Sequence, residues 1–229
     1  MAIRLEKGQR INLEKSTGGS LTNFCVGVNW GAIEVQVKKS GFLGFGSKMV
    51  TEIQDVDLDL SCVMYDENGN LCDHLYSPLY KPELLAQFGL PPGKLLSNTN
   101  ALRHTGDDLE GDKGGDDGLD NEIITVDLTM LGSNVSRIFF FLNNVGQEDF
   151  SQIPYAKIRM YEGTPDKVNS VYAEYNVVSE AQYKGKKALV MGELYKKDNV
   201  WKFNAIGDPY EDVFLGQTIQ RISQNYAKK

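Results

Sequence analysis

Short stretches in which every second residue is apolar recur along nearly the whole chain, and few folds can absorb so many of them. Phe24, Val26, Val28 and Trp30 alternate with Cys25, Gly27 and Asn29; Ile33, Val35 and Val37 alternate with Glu34 and Gln36; Leu58, Leu60, Cys62 and Met64 alternate with Asp57, Asp59, Ser61 and Val63. A period of two turns one face of a segment to a core and the other to solvent, which is the pattern of a β-strand. The same pattern predicts strands over Ile123–Leu128, Val135–Leu142, Ala156–Glu162, Ser170–Val178, Lys187–Lys196 and Val200–Ile206, the last two joined by a turn at Lys197-Asp198-Asn199. Asp66-Glu67-Asn68-Gly69 holds an Asn-Gly pair and marks another tight turn. About ten short strands separated by turns predict an all-β, antiparallel β-sandwich. Two helices are expected beside it. One is Pro82–Phe88, with Pro82 in its first turn and Gly89 past its end. The other closes the chain, where Leu215, Ile219, Ile222 and Tyr226 share a helical face. No linker or internal repeat divides residues 1–229, so a single domain is expected.

Charge and composition exclude several classes. The net charge is −7, and the stretch Asp107–Glu122, with eight acids and one base, carries all of it. The remainder is neutral and has no basic stripe, so nucleic acid is not an expected partner. The longest apolar run, Ile138–Leu142, is far below the roughly 20 residues that span a bilayer. The opening MAIRLEKGQR has no apolar signal core. With three cysteines and no C-x-x-C pair, free thiols in a reducing, cytoplasmic compartment are expected, Cys25 and Cys62 being core residues by their alternation. Two histidines exclude a His-rich zinc site.

Two constellations carry chemistry. Asp55-Val56-Asp57-Leu58-Asp59, read as a strand, puts three carboxylates on one face. Asp is a poor strand former and three anions in a row repel, so a bound cation accounts for the pattern better than a solvated face. An EF-hand is excluded, because Leu60 stands where glycine is required and Asp66 where a glutamate closes the loop. The second constellation is the loop Gly106–Glu122, which interleaves its acids with five glycines. Glycines let carboxylates and carbonyls converge, and calcium takes six to eight such oxygens in flexible geometry whereas magnesium keeps its waters. Alternate strand residues lie about 6.6 Å apart, too far for one ion to take all three aspartates easily, so either two ions or one ion with a hydrogen-bonded aspartate is expected.

The chain resembles the tellurium-resistance TerD-like stress proteins nearly end to end. The resemblance rests on LEKGQRINLEK, FCVGVNW, DVDLDLSC, HTGDDLEGDKGGDDGLDNEIITVDL, FSQIPYAKIRMYEG and MGELYKKDNVWKFNAIGDPY. It implies a β-sandwich that binds calcium through acidic motifs and serves bacterial stress systems linked to tellurite, phage and colicin resistance. Carried over position by position, it implies Asp55, Asp57, Asp59, Asp107, Asp108, Asp116, Asp117 and Glu122 as calcium ligands, for about two ions. The chain departs from the family pattern in reading Gly-Asp-Asp at 106–108, in having Glu110 where Thr is common, and in placing Gly118–Asn121 between Asp117 and Glu122. Segments 38–54 and 80–101 are longer than in short members. The partners implied are calcium and proteins of the same stress system, with a place in the cytoplasm or peripherally at the inner face of the membrane.

Other signals lead elsewhere and are weaker. Gly41–Lys48 mimics a phosphate loop but ends Gly-Ser-Lys, and the following Met49–Ile53 alternates like a strand, so an insert whose Phe42 and Phe45 could meet a partner or a membrane is expected instead. His104 near Asp107 is the one hint of a hydrolytic pair, and a histidine at the mouth of an acidic loop is better read as a hydrogen-bonding support. Direct tellurite binding to the loop is electrostatically unfavourable unless calcium bridges it. The expectation is a calcium-dependent binding or scaffold module and not an enzyme. Its rivals are a calcium-assisted enzyme with an open position on the ion and a module whose calcium is purely structural.

Overall fold

A computed structural model describes residues 3–4, 6–15, 18–40, 47–176 and 181–228. In chain order its elements are β1 (Ile3–Arg4), β2 (Arg10–Asn12), β3 (Asn23–Trp30), β4 (Ile33–Ser40), β5 (Ser47–Gln54), β6 (Leu58–Tyr65), β7 (Leu71–Leu75), α1 (Pro82–Gln87), β8 (Leu102–His104), β9 (Glu122–Asp127), β10 (Arg137–Asn144), β11 (Ala156–Thr164), β12 (Lys167–Asn176), β13 (Ala188–Lys197), β14 (Val200–Tyr210) and α2 (Leu215–Asn225). Two six-stranded sheets, ordered β1-β12-β11-β3-β9-β8 and β2-β14-β13-β10-β6-β7, pack face to face. Every neighbouring pair in them is antiparallel except β1–β12. The fold is the all-β sandwich that the alternation predicts.

The main core lies between the sheets. Phe24, Val26, Val28 and Trp30 of β3 meet Leu58, Leu60, Cys62 and Met64 of β6 and Ile138, Phe140 and Leu142 of β10. Cys25 and Cys62 are buried free thiols. A second core covers the outer face of the β6-containing sheet, where Val63, Tyr65, Phe139 and Phe141 pack under Leu215, Ile219 and Ile222 of α2 and Leu85 of α1. Strand β6 is therefore buried on both faces, all eight residues of it. The turn between β13 and β14 holds Asp198 and Asn199 at φ 53° and 61°, the two positive values a tight antiparallel hairpin needs.

Three readings change in detail. Strand β6 begins at Leu58, so Asp55–Asp57 is not part of it. The backbone there is held by other partners: the Val56 N–H donates to the Glu110 carbonyl at 3.0 Å and the Asp57 carbonyl accepts from Val145 N–H at 3.0 Å. The described parts of segment 38–54 are strand: residues 38–40 continue β4 from Ile33, and 47–54 form β5, which pairs with β4 in a separate two-stranded antiparallel sheet. Of Gly41–Lys48, residues 41–46 lie outside the described residues and Ser47 and Lys48 begin β5.

Candidate metal centre

The loop between β8 and β9 is fastened to the sandwich before any ion is considered. Asp112 bridges the main chain after β3, its N–H donating to the Trp30 carbonyl and its carbonyl accepting from Ala32 N–H, both at 2.9 Å. Asn121 does the same further on: its N–H donates to the Val28 carbonyl at 2.9 Å, and its Oδ1 accepts from Trp30 N–H at 2.8 Å. Gly111, at φ +73°, lies against the Trp30 indole, where a Cβ would stand 2.6 Å from a ring carbon. Gly27 likewise leaves room for Asp120, whose buried carboxylate takes both oxygens to Arg159 Nε at 2.8 and 3.0 Å. These contacts fasten the loop to β3 and β11, and Val56 N–H, donating to the Glu110 carbonyl, joins it to the residues before β6.

There an inner centre forms. One carboxylate oxygen from each of Asp57, Asp59 and Asp107 lies within 4.8 Å of the others. Asp59 is 4% exposed and lies against the buried Tyr80 phenol. Ser77 Oγ donates to Asp107 Oδ2 at 2.8 Å. Asp57 Oδ1 and Asp107 Oδ1 are buried with no hydrogen-bond partner, and among the described residues none of the three forms an ion pair. Burial, then the charge of Asp107, pushes the Asp57 carboxyl up to about 6. Burial raises Asp59 well above the ordinary carboxylate range as well. Orphaned buried oxygens are costly, and a hard cation is the group that satisfies several anionic oxygens at once. The donor set, oxygen only and flexible, fits calcium.

An outer centre lies further along the loop, where Asp112, Asp116 and Asp117 also bring one oxygen each within 4.8 Å. Its donors are already engaged. Asp112 accepts from Asn29 Nδ2 at 3.2 Å, Tyr155 Oη at 2.9 Å and Asn121 Nδ2 at 3.1 Å. Asp116 pairs with Lys157, which holds its carboxyl below the usual range. Asp117 Oδ1 accepts from Leu119 N–H at 2.8 Å.

The remaining sequence candidates fall outside both groups. Asp55 is half-exposed and pairs with Lys113 at 3.1 Å. Asp108 caps its own loop, Oδ1 accepting from Glu110 N–H at 2.9 Å and Gly111 N–H at 3.0 Å. Glu122, wholly buried, accepts from Leu60 N–H at 2.7 Å and Asp108 N–H at 3.1 Å, and so ties the loop to β6. His104 supports this strap. Its Nδ1 accepts from Gly106 N–H at 3.0 Å, so Nε2 carries the proton and donates to the Leu60 carbonyl at 2.9 Å. Burial lowers its pKa and both ring nitrogens are engaged, an arrangement that suits a support and not a general base. Asp112 was not among the candidates, although the spacing Asp112-x-x-x-Asp116-Asp117 in a glycine-rich loop was there to suggest it.

A profile of the TerD domain matches residues 1–221. The chain belongs to the TerD family. Stress response protein SCP2 of Bacillus subtilis (strain 168) is 33% identical over 226 residues, covering 96% of this chain and 99% of that protein. Tellurium resistance protein TerZ of Serratia marcescens is 28% identical over 207 residues, covering 90% and 89%. Among solved structures, a homologue of telluride resistance protein (TerD) from Streptomyces coelicolor A3(2) superposes with a TM-score of 0.51 at 12% identity, covering 83% of this chain and 91% of that one. A crystal structure of a protein of unknown function superposes with a TM-score of 0.56 at 15% identity, covering 91% and 98%. At such identities these two likenesses establish the TerD-type fold alone.

Proposed function

We propose that this TerD-family protein is a calcium-binding module of the tellurium-resistance and stress-response type, and that the ion sits at the inner centre. The observation that carries the reading is the convergence of Asp57, Asp59 and Asp107 with two buried oxygens left unpartnered and, among the described residues, no ion pair to any of the three. Asp57, Asp59 and Asp107 hold the ion there, and the outer centre takes a second, weaker one. When bound, calcium supplies the positive charge that the inner carboxylates lack. The chain's own groups do the rest: Ser77 orients Asp107, and Glu122 with His104 fixes the loop against β6. The module acts without catalysis, as a cytoplasmic binding or scaffold protein whose partners are other proteins of the same stress system, some at the membrane face. The names of the relatives support the link to tellurium resistance and stress response.

Titration calorimetry tests the reading. Wild-type protein is expected to bind calcium at micromolar affinity or tighter and magnesium far more weakly. Equal affinities for the two ions, or none, would overturn it. A purely structural calcium is the second reading, favoured by the burial of Asp59. Capture of the same proteins from a lysate with calcium and with chelator would select that reading over calcium-dependent docking.

A further inference from the structure

Three carboxylates are few for calcium, which takes six to eight oxygens. A fourth stands nearby on a segment that neither the acidic loop nor the aspartate run includes. Glu148 follows the end of β10 and is 4% exposed, although it is a glutamate. Its Oε1 is buried with no hydrogen-bond partner, and its Oε2 has a single long contact, from Gln54 Nε2 at 3.4 Å. It forms no ion pair among the described residues. The segment is tied to the inner centre through the main chain, since Val145 N–H donates to the carbonyl of Asp57 itself. The side chain lies beside the aspartate run as well, since Gln54, whose Nε2 reaches Glu148 Oε2, directly precedes Asp55 in the chain.

The local backbone is built to hold this side chain folded back over its own loop. A Cβ on Gly146 would stand 2.1 Å from Glu148 Oε1, so only glycine leaves the carboxylate its place. Asn144 clamps the turn from both sides: its Oδ1 accepts from Gly146 N–H at 2.8 Å and its Nδ2 donates to the Glu148 carbonyl at 3.0 Å. A shaped pocket for a buried, unpaired carboxylate costs stability unless something else uses the charge.

We propose that Glu148 is a fourth carboxylate ligand of the inner calcium centre, supplied by the turn after β10. The proposal rests on the calcium reading above. It also assigns Glu148 a share of the selectivity: magnesium is bound by one or two carboxylates plus water, so the fourth carboxylate strengthens calcium more than magnesium.

The test compares wild type with Glu148→Gln, which keeps shape and hydrogen-bonding capacity but removes the charge. Calcium affinity is measured by calorimetry, and Tb³⁺ binding by its luminescence on excitation of tyrosine, Tyr80 being the donor beside Asp59. Loss of an outer support of a metal site costs about 10–100-fold in affinity, and a direct ligand no less, so Glu148→Gln is expected to weaken calcium and Tb³⁺ by at least that range and magnesium less. In chelator the same variant should melt at or above the wild-type temperature, because a buried unpaired charge is gone; a residue serving only to bond Gln54 would show neither effect. Glu148→Asp, which keeps the charge, should retain part of the affinity and stands in if the Gln variant does not fold. Wild-type affinity in Glu148→Gln would overturn the proposal and leave the calcium reading standing. A wild-type protein that binds neither ion would overturn both.

Discussion

The two acidic centres are made of the same residue type on the same loop, yet their surroundings are opposite. At the outer centre Asp112, Asp116 and Asp117 are met by Asn29, Asn121, Tyr155 and Lys157, and Asp116 is an easier acid than usual. At the inner centre Asp57, Asp59 and Asp107 meet the hydroxyls of Ser77 and Tyr80 and one another, with no cationic partner among the described residues, and Asp57 and Asp59 are harder to ionise than usual. Counting carboxylates therefore does not rank the centres. The balance of charge and hydrogen bonds around them does, and it leaves the inner one in deficit.

The largest expected effect follows from that deficit. With calcium at a hundredfold excess over the dissociation constant, linkage gives about 2.7 kcal/mol, which for a domain of this length is a rise of roughly 5–11 °C in melting temperature. Asp59→Asn should abolish most of that rise, while Asp117→Asn should leave most of it intact. In chelator the order should change, with Asp59→Asn melting above wild type, because it removes one of three buried carboxylates crowded together without a cation. Melting of the three proteins with calcium and with chelator checks this. Equal calcium-dependent shifts in Asp59→Asn and wild type would mean that the outer centre is the principal site and the comparison is inverted.

The contrast was only partly legible in the sequence. Alternation locates a strand when one face is buried and the other is wet, which is why the first half of β11, with Ala156, Ile158 and Met160 buried and Lys157 exposed between them, and the helical face of α2 are found by pattern alone. In β6 both faces are covered, so the aspartate side, read as a row of three, leads at Asp59 into a second core under α1 and α2. The short edge strands β1, β2, β7 and β8 have two to five residues each, too few to establish a period. The ligand types and the loop were visible, but their grouping was not. Asp57 and Asp59 meet Asp107 only because the β8–β9 loop, which leaves and re-enters one sheet, reaches over to β6 of the other, and Asp55 pairs with Lys113 instead. Lone acids such as Glu148 carry no local pattern.

A smaller effect sharpens the inner centre through pH. With chelator present, wild-type Asp57 has its carboxyl raised to about 6, from an ordinary value near 3.8. The folded state then binds the proton more readily than the unfolded state, so this group's stabilisation is complete below about 3.8 and is lost as pH rises through about 6. Asp57→Asn resembles the protonated form at every pH. It should therefore melt above wild type at pH 7, and the gap should close as the pH is lowered from 7 toward 4. Taking the difference removes the opposing contribution of the buried His74, whose lowered pKa costs stability as pH falls through about 6.5 in both proteins. A gap that stays constant over this range would show that Asp57 is ionised throughout, and that the inner centre lacks the charge deficit on which the comparison depends.

The smallest expected effect tests where the aspartate run stops. Lys113 is exposed and divides its ammonium between Glu110 at 2.6 Å and Asp55 at 3.1 Å. Exposed pairs of this kind contribute little and are screened by salt. Lys113→Ala removes no oxygen from either centre, so calcium affinity should stay within about twofold, and the melting temperature should move by no more than about 1 °C with calcium or with chelator. The alternative has a distinct signature. If Asp55 is a ligand that Lys113 holds away from the ion, freeing it adds a carboxylate to the site, and calcium should then bind about tenfold more tightly, most visibly at low ionic strength. That result would extend the inner centre back to Asp55 and restore the three-aspartate row that the start of β6 at Leu58 divides.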